Sequence, residues 1–301
     1  QLINGDFRVW QRGEIITTTA NSVYTADRWG TASNASGQVV TRTSVIGISG
    51  VSDAAEITVV GTNLTQLVEL PVRNNTGFAG PFSPNSVWTA SFWSDRGFDG
   101  VAVINPRFRN SLGSNANEVL IPGTYAWSAI ETAGSYTRYS TTFNIGSAAP
   151  ASSNRGFFVI FPAFNAASGG VTSSILAGCQ LEPGPVATPF EHRPIGTELA
   201  LCQRYFVKQN FGPNLTSKSV AYSTGNFSTQ LPYLYYFPVE MRVQPTTDFT
   251  GLIVKTGTTV RTASLNISAT PVMRYIGASD LPQNTTGNLH VGGVLLIDAE
   301  L

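Results

Sequence analysis

The feature that most constrains the fold of this chain is a long series of short segments with the patterns of β-strands. Within each segment polar and apolar residues alternate, or apolar residues run together, as in strands buried on one face or on both. Glycines (29) and prolines (17) recur along the chain and favour tight turns. The segments are residues 38–43, 56–60, 66–72, 87–93, 123–127, 136–143, 157–161 and 174–181. This series predicts an all-β domain, a two-sheet sandwich of the jelly-roll type.

A proline-rich stretch, residues 182–190, interrupts the series. Pro183, Pro185 and Pro189 prevent it from forming a helix or a central strand, because proline lacks a backbone N–H and has a fixed φ. We therefore expect the chain to leave the first domain here, with the jelly roll covering residues 1–192.

The remainder of the chain predicts a second, smaller domain. Residues 197–206 have a helical pattern, with Thr197 as the N-cap and Glu198 favourable in the first turn. Strand patterns then return at residues 231–237, 252–255, 262–267 and 291–297. The sequence thus predicts a smaller β-sandwich with an entry helix over residues 193–301.

Charge and hydropathy argue against two classes of partner. Charged residues make up 12% of the chain, and 18 Lys and Arg balance 18 Asp and Glu, so no broad field attracts nucleic acid or an anionic membrane. The longest apolar stretch, 157–164, contains Pro162 and is far shorter than the roughly 20 residues of a membrane helix. We expect neither nucleic-acid binding nor membrane insertion.

Cys179 and Cys202 are too few for a disulfide framework and are predicted to be buried free thiols.

The sequence gives little support for catalysis. His192 and His290 lie far apart, and no nucleophile motif, Cys-x-x-Cys pair or phosphate-binding glycine loop is present. Carboxylates could still meet in the fold as a glycosidase pair, and the candidates are Glu69, Glu118, Glu131 and Glu182. Surface charges are the simpler interpretation of these four residues. We therefore expect a non-enzymatic protein that needs no cofactor.

Tryptophans are the most informative aromatic residues, because indole rings stack on sugars as well as filling cores. Trp88, Trp93 and Trp127 lie in strand patterns, which favours core positions. Trp10 and Trp29 lie in loop-rich stretches with Arg and Asp. The last two are therefore the candidates for an exposed platform that binds a glycan.

Strand alternation limits which aromatic residues can act together. Tyr136 and Tyr139 are candidates for the same platform, but residues three apart on a strand face opposite sides, so at most one of them shares a face with a ligand. Trp88 and Trp93 are five apart and also face opposite sides. We expect one of these two tryptophans to be less buried than the other.

Further motifs cover both ends of each predicted domain and one central strand, residues 87–93. They are Leu-Ile-Asn-Gly-Asp-Phe-Arg-Val-Trp-Gln-Arg-Gly (2–13), Thr-Ala-Asp-Arg-Trp (25–29), Val-Trp-Thr-Ala-Ser-Phe-Trp (87–93), Ala-Gly-Cys-Gln-Leu-Glu-Pro-Gly (177–184), Ala-Thr-Pro-Phe-Glu (187–191), Glu-Leu-Ala-Leu-Cys-Gln-Arg-Tyr (198–205) and Ile-Asp-Ala-Glu-Leu (297–301). Together they resemble jelly-roll domains of bacteriophage tail-fibre and other virion structural proteins, which are similar to carbohydrate-binding modules of the family 4/9 type. The resemblance implies a homotrimer, contacts with other virion proteins, and a bacterial surface polysaccharide as ligand.

One departure from this pattern concerns a metal. Modules of this type commonly hold a structural Ca²⁺ between an acid just after the Asn-Gly-x-Phe turn and another on the last strand. Here Arg8 occupies the first position and Glu182 lies near the second. Because a cation cannot ligate Ca²⁺, we expect no metal. Our hypothesis is that an Arg8–Glu182 ion pair replaces the ion and ties the first strand to the last.

Subunit contacts are expected in the second domain. The predicted helix is apolar nearly all round, and the run 233–237 has apolar residues on both strand faces. Uncovered apolar faces of this kind usually mark subunit contacts. The predicted interface residues are Leu199, Tyr205, Phe206, Tyr233, Tyr235 and Phe237. The first domain is expected to be monomeric when expressed alone.

Three functions remain open at this point. The first is a virion protein of the fibre or spike type, assembled in the host cytoplasm, whose jelly roll attaches to a host-surface glycan. The second is a capsid or tail decoration protein with a purely structural role. A secreted accessory module of a glycoside hydrolase is the third, and it ranks last because no leader or catalytic partner domain is visible in the sequence.

Overall fold

The computed structural model describes residues 2–18, 23–31, 37–58, 63–70, 82–101, 106–112, 116–148, 150, 156–162, 173–210, 220–223, 231–256, 259–262, 273–278 and 286–300. Side chains are described in these ranges except within 220–223, 231–236, 249–256, 259–262, 273–278 and 286–293. The residues so described form antiparallel β-sheets and one short helix, so the predicted all-β class is confirmed. It divides into two compact units between Glu198 and Leu199, slightly after the predicted boundary at residue 192.

The described residues of the first unit form two antiparallel sheets. The seven-stranded sheet has the order β1 (Ile15–Thr17), β3 (Val39–Ser44), β4 (Asp53–Thr58), β12 (Ser173–Pro183), β6 (Val87–Ser94), β10 (Tyr136–Asn144) and β9 (Ser128–Ala133). The five-stranded sheet has the order β2 (Gly30–Thr31), β5 (Asn63–Glu69), β11 (Gly156–Pro162), β7 (Arg107–Arg109) and β8 (Val119–Leu120). One buried cluster contains side chains from both sheets, so they form a sandwich. The finer jelly-roll assignment stays a prediction.

Aromatic side chains dominate the core of this sandwich. Trp88 and Phe92 on β6 face inward at alternate positions, and they meet Phe157 and Phe161 from β11 within one cluster. Phe92 has edge contacts with the rings of Trp127 and Phe161, at centroid distances of 4.7 and 6.0 Å. Because burial of a large apolar side chain contributes about 1.5–3 kcal/mol, these rings supply much of the driving force for folding.

A smaller apolar cluster covers part of the outer face of the seven-stranded sheet. Trp93, which alternation places outward on β6, is buried beneath Val45, Ile48 and Val51. These three residues come from the connection between β3 and β4 and fold back over the sheet. The outer face of the sheet is therefore only partly available to solvent.

The proline-rich stretch also packs on this outer face. Residues 184–190, which we call the strap, follow β12 directly and turn back across the neighbouring strands. Thr89 Oγ1 donates to Gly184 O (2.7 Å), and Thr142 Oγ1 donates to Pro185 O (3.2 Å). The strap is therefore a bound part of the first unit as well as the route out of it.

The helix α1 spans Ile195–Gln203, so the prediction of Thr197 as N-cap was wrong. The helix begins two residues earlier, directly after Pro194, whose carbonyl accepts the Glu198 N–H at 3.1 Å. Proline is favourable at a helix start because its missing N–H would have no intrahelical acceptor there. Glu198 is buried rather than solvated in the first turn, and it binds the N-terminal segment as described below.

The second unit contains two further antiparallel sheets. The larger has the order β13 (Phe206–Asn210), β19 (Thr286–Asp298), β16 (Thr246–Thr256) and β17 (Thr259–Thr262), with β14 (Val220–Ser223) also paired to β19. The smaller pairs β15 (Leu231–Tyr236) with β18 (Met273–Ala278). The strands predicted around 231–237, 252–255 and 291–297 are thus present, whereas most of the predicted strand 262–267 lies outside the described residues.

The structure also bears on the predictions that the two cysteines are buried thiols and that no helix spans a membrane. Cys179 and Cys202 are buried thiols that form no disulfide, as predicted, and burial raises the pKa of the Cys179 thiol well above its ordinary value. Within the described ranges, no helix is long and apolar enough to cross a membrane.

Candidate functional site

A groove on the outer face of the seven-stranded sheet is the candidate binding site. It lies between the edge of the sheet, formed by β9 and β10, and the strap, and its volume is about 530 Å³. That volume is within the range of roughly 300–1,000 Å³ common for ligand sites. β9 contributes Ile130 and Glu131, β10 contributes Arg138 and Ser140, and the strap contributes residues 185–187 and Pro189. Ile130 and Val186 are exposed, so apolar surface flanks the charged groups.

Arg138 is the buried charge of this groove, with only 5% of its side chain exposed. Its Nη2 donates to Ser91 Oγ at 3.1 Å and also to the carbonyl of Thr188 in the strap. Nη1 lies 3.7 Å from Glu131 Oε2, which is longer than a hydrogen bond. Nε has no hydrogen-bond partner among the described residues. Burial lowers the pKa of Arg138, while the charges of Glu131 and Glu182 act in the opposite direction.

Glu182, near the end of β12, holds the strap in place. Its carboxylate accepts from the Thr188 backbone N–H at 2.9 Å, from Thr188 Oγ1 at 2.5 Å, and from Gln180 Nε2 at 2.9 Å. The carboxylate of Glu182 thus accepts three hydrogen bonds, and Thr188 donates two of them. These two hydrogen bonds fix the position of Thr188 over the sheet. The position of Thr188 in turn places the carbonyl that Arg138 binds.

A second charged cluster lies where the N-terminal segment meets the chain just before α1. Arg8 pairs with Asp6 through Nε and donates from Nη2 to the carbonyl of Arg193 at 2.7 Å. Arg193 donates to Leu2 O at 3.0 Å and pairs with Glu198 at 3.2 Å. Glu198 also accepts the Asn4 backbone N–H. Burial raises the pKa of Asp6, opposed by Arg8 and reinforced by the Glu198 charge.

The space enclosed beside this cluster is small. A cavity of about 20 Å³ is lined by Asp6, Glu191, Arg193 and Glu198, among others, which is room for about one water molecule. Within the described part of the chain, no group of three His, Cys, Asp or Glu side chains is arranged to hold a metal ion. The cluster is therefore built from ion pairs and backbone hydrogen bonds.

The comparisons with known proteins add no family to this geometry. No protein-family model matches the chain, and no curated protein matches it either.

The Arg8–Glu182 ion pair predicted from the sequence was wrong. Arg8 binds Asp6, two residues away in the chain, and Glu182 binds Thr188 and Gln180. The physical reason is local: the turn at Asn4–Phe7, where Asn4 and Phe7 have positive φ angles, brings Asp6 beside Arg8. The N-terminal segment is instead tied down by Arg193 and Glu198, which the sequence did not single out for this role.

The aromatic platform predicted at Trp10 and Trp29 was also wrong. Both indoles are buried, and Trp29 is fully so. Their N–H groups donate inward, Trp10 Nε1 to Phe7 O at 2.5 Å and Trp29 Nε1 to Asn4 O at 2.8 Å. These segments are loops in backbone conformation, but their rings complete the core of the sandwich instead of facing solvent. All five tryptophans of the chain are buried.

Alternation correctly predicted the facing of the other aromatic pairs. Tyr139 is buried in the sandwich core, while Tyr136 packs half-buried on the outer cluster around Trp93. Tyr139 is therefore no platform residue. Trp88 and Trp93 do face opposite sides, but the expectation of unequal burial was wrong, because the β3–β4 connection covers Trp93.

Two of the four candidate carboxylates, Glu131 and Glu182, both act on the charge of Arg138, and the other two lie elsewhere in the first unit. Glu118 is bound by Arg107 and Arg109 on β7. Burial opposes its ionisation, but the hydrogen bond from Arg109 and the charge of Arg107 outweigh that and lower its pKa. A general acid of a glycosidase needs the opposite shift. Glu131 lies in the groove beside Arg138, Glu182 holds the strap, and Glu69 lies at the end of β5.

Several predicted interface residues are buried within the chain itself. Tyr205, Phe206 and Phe237 are buried in the second unit, so their side chains do not form an exposed patch. Leu199 on α1 is half-buried. The side chains of Tyr233 and Tyr235 lie outside the described residues, so the prediction for them stays open.

Sequence reasoning missed the groove, although part of its signal was visible. In the run 136–140, alternation places Tyr136, Arg138 and Ser140 on one strand face and Tyr139 on the other. An arginine on the same face as a half-buried tyrosine could have been recognised. The return of the strap across that face could not, because it depends on contacts far apart in sequence.

Proposed function

We propose that this chain is a virion structural protein of the fibre or spike type whose first unit attaches to a carbohydrate on the host surface. The groove carries this proposal. It combines apolar side chains, Ile130 and Val186, with the polar groups of Glu131, Arg138 and Ser140, and sugars offer both C–H faces and hydroxyl groups to such a surface. A two-sheet sandwich supplies the rigid frame on which the groove is held.

A decoration protein with a purely structural role is the second candidate. The observation that favours it is the burial of all five tryptophans, because exposed indoles are the residues best suited to stacking on sugar rings. On this alternative the aromatic residues serve only the stability of the sandwich, and the groove is a surface feature without a ligand.

Glycan binding separates the two candidates. The full chain is applied to an array of bacterial surface polysaccharides, beside the variant Val186→Asp, which places a charge in the groove at an exposed position. The attachment function predicts binding by the wild type and its loss in the variant. Uniform absence of binding by the wild type would instead favour the decoration protein.

The homotrimer and the contacts with other virion proteins belong to the same proposal. They rest on the resemblance of the sequence to fibre and spike proteins. Light scattering coupled to size-exclusion chromatography measures the mass of the full chain directly, and a monomer at micromolar concentration would contradict the proposed trimer.

The charged cluster before α1 gives a prediction about fragments. A fragment of residues 1–198 retains Arg193 and Glu198, which bind Leu2 O and the Asn4 N–H, whereas a fragment of residues 1–192 lacks both. Losing these hydrogen bonds to charged groups should cost about 2–4 kcal/mol of the free energy of unfolding. Urea denaturation of the two fragments measures the difference, and equal midpoints would show that the cluster does not stabilise the first unit.

A further inference from the structure

We infer that the groove binds an acidic sugar, whose carboxylate takes the place of the Glu131 carboxylate on Arg138. The inference rests on the proposed attachment function, since it assigns a ligand class to the same groove. The hydrogen bonding of the buried Arg138 guanidinium is incomplete.

A guanidinium has five N–H donors, and Arg138 uses few of them. Nη2 serves Ser91 and Thr188, but Nη1 has only the 3.7 Å contact with Glu131, and Nε has no partner among the described residues. A buried charge with unfilled donors is unfavourable. An acceptor that reached Nη1 at hydrogen-bond distance would remove part of that penalty, and a carboxylate forms the strongest such bond.

Glu131 already places a carboxylate near this donor without holding it tightly. It lies on the edge strand β9, and 56% of its side chain is exposed. Because Glu131 is mostly exposed and its carboxylate lies beyond hydrogen-bond distance of Arg138 Nη1, this contact contributes little, so the Glu131 side chain can rotate into water at small cost. A carboxylate of a ligand can therefore occupy the position beside Arg138 that the Glu131 carboxylate leaves.

The surroundings of Arg138 select a compact ring that carries the carboxylate. Ile130 from β9 and Val186 from the strap are exposed apolar side chains that line the groove, and they suit the C–H faces of a pyranose. With Glu131 rotated out, Arg138 is the groove's own positive charge, and Glu182 is occupied by Thr188 and Gln180. A uronic or sialic acid unit combines the required carboxylate, hydroxyl groups and C–H surface.

The test measures binding of the full chain to immobilised polymers in the same buffer. The acidic polymers are polygalacturonate, alginate and polysialic acid, and the neutral ones are galactan and dextran. We expect binding to at least one acidic polymer, about tenfold or more stronger than to either neutral one, because hydrogen bonds between charged groups contribute most. Raising the salt concentration should weaken this binding.

Variants assign the binding to Arg138. Glu131→Gln removes the competing carboxylate and should tighten binding by about threefold, whereas Arg138→Lys keeps the charge but loses the planar fork and should weaken it by about tenfold. Glu14→Gln is the matched control, since Glu14 is an exposed carboxylate paired with Arg42 elsewhere on the same sheet. It should leave the affinity unchanged.

Arg138→Lys also requires a check on folding, because the side chain is buried. Ile130→Asp serves as a second test at an exposed position, where it repels a carboxylate without disturbing the core. Equal binding of acidic and neutral polymers would overturn the acidic-sugar inference and leave the attachment function standing. Binding to none of the five polymers, or acidic binding that ignores Glu131→Gln and Ile130→Asp, would also overturn the inference.

Discussion

Trp29→Ala is expected to lower the free energy of unfolding of the first unit by about 3–5 kcal/mol, because it opens a large cavity in a close-packed core. The indole of Trp29 is 0% exposed. Its centroid lies 4.9 Å from the ring of Phe7 and 5.5 Å from that of Phe161. The substitution also leaves the carbonyl of Asn4 without the Nε1 donor. Because a domain is stable by only about 5–15 kcal/mol, this loss is a large fraction of the total.

The measurement is urea denaturation followed by the fluorescence of the remaining tryptophans. Ile46→Ala is the matched control: it also shortens an apolar side chain in a loop of the first unit, but Ile46 is 88% exposed and its truncation should change stability by less than about 0.5 kcal/mol. If Trp29→Ala behaved like this control, Trp29 would be the surface residue that its loop position suggested.

The sequence could predict which faces the strand residues occupy, because side-chain direction follows from alternation alone. Trp88 and Trp93 lie on opposite faces of β6, and Tyr136 and Tyr139 on opposite faces of β10, as expected. Alternation does not say what covers the second face. Trp93 is buried because Val45 and Val51 fold over it, and that packing depends on how a connection turns back, which has no local periodicity.

Loop residues were the main source of error for the candidate site. Polar neighbours suggested that Trp29 is exposed, yet those neighbours are themselves buried, since Asp27 and Arg28 are each about 1% exposed. Arg28 donates from Nη2 to Leu67 O at 2.6 Å, so its charge lies inside the sandwich beside a strand. A charged residue indicates solvent only when no buried acceptor reaches it, and sequence cannot show where acceptors will be.

The contacts of the strap also could not be predicted from its sequence. Pro185 and Pro189 correctly indicated that the strap is neither helix nor central strand, but the prediction was wrong for Pro183, which pairs with Trp88 at the end of the central strand β12. The prolines also suggested that the chain leaves the domain here. The carbonyl of Thr188 instead accepts a hydrogen bond from Arg138, and Thr188 donates two hydrogen bonds to the carboxylate of Glu182. Proline removes donors from a segment but leaves its carbonyl oxygens, so such a segment can still be bound by side chains from a sheet.

Arg8→Ala is expected to destabilise the first unit by about 2–3 kcal/mol at pH 7, since removing one partner of a buried ion pair leaves the other charge stranded. The stranded charge is that of Asp6, whose side chain is only 5% exposed. Because Arg8 is 23% exposed, the loss of stability should be smaller than for a fully buried pair. The carbonyl of Arg193 also loses its donor. Arg42→Ala is the control, because Arg42 pairs with Glu14 and Asp53 in a more exposed setting and should matter less.

The loss should depend on pH in a direction that identifies Asp6. Its folded pKa is already raised above the ordinary value of 3.8, by burial and despite Arg8. A carboxyl with a raised folded pKa favours the folded state below its unfolded pKa, and that contribution is lost as the pH rises through the folded pKa. Removing Arg8 takes away two influences that lower this pKa, so it rises further. The stability difference between wild type and Arg8→Ala should therefore shrink from pH 7 toward pH 4.

Two double variants distinguish this pairing from the alternative with Glu182. Adding Asp6→Asn to Arg8→Ala removes the stranded charge, so the double variant should recover part of the lost stability, and its deficit should lose its pH dependence. Adding Glu182→Gln instead should give a loss equal to the sum of the two single losses, because Glu182 binds Thr188 and Gln180 and shares no partner with Arg8. An interaction energy above about 0.5 kcal/mol between Arg8 and Glu182, with none between Arg8 and Asp6, would contradict this assignment, because direct partners couple and separate ones do not.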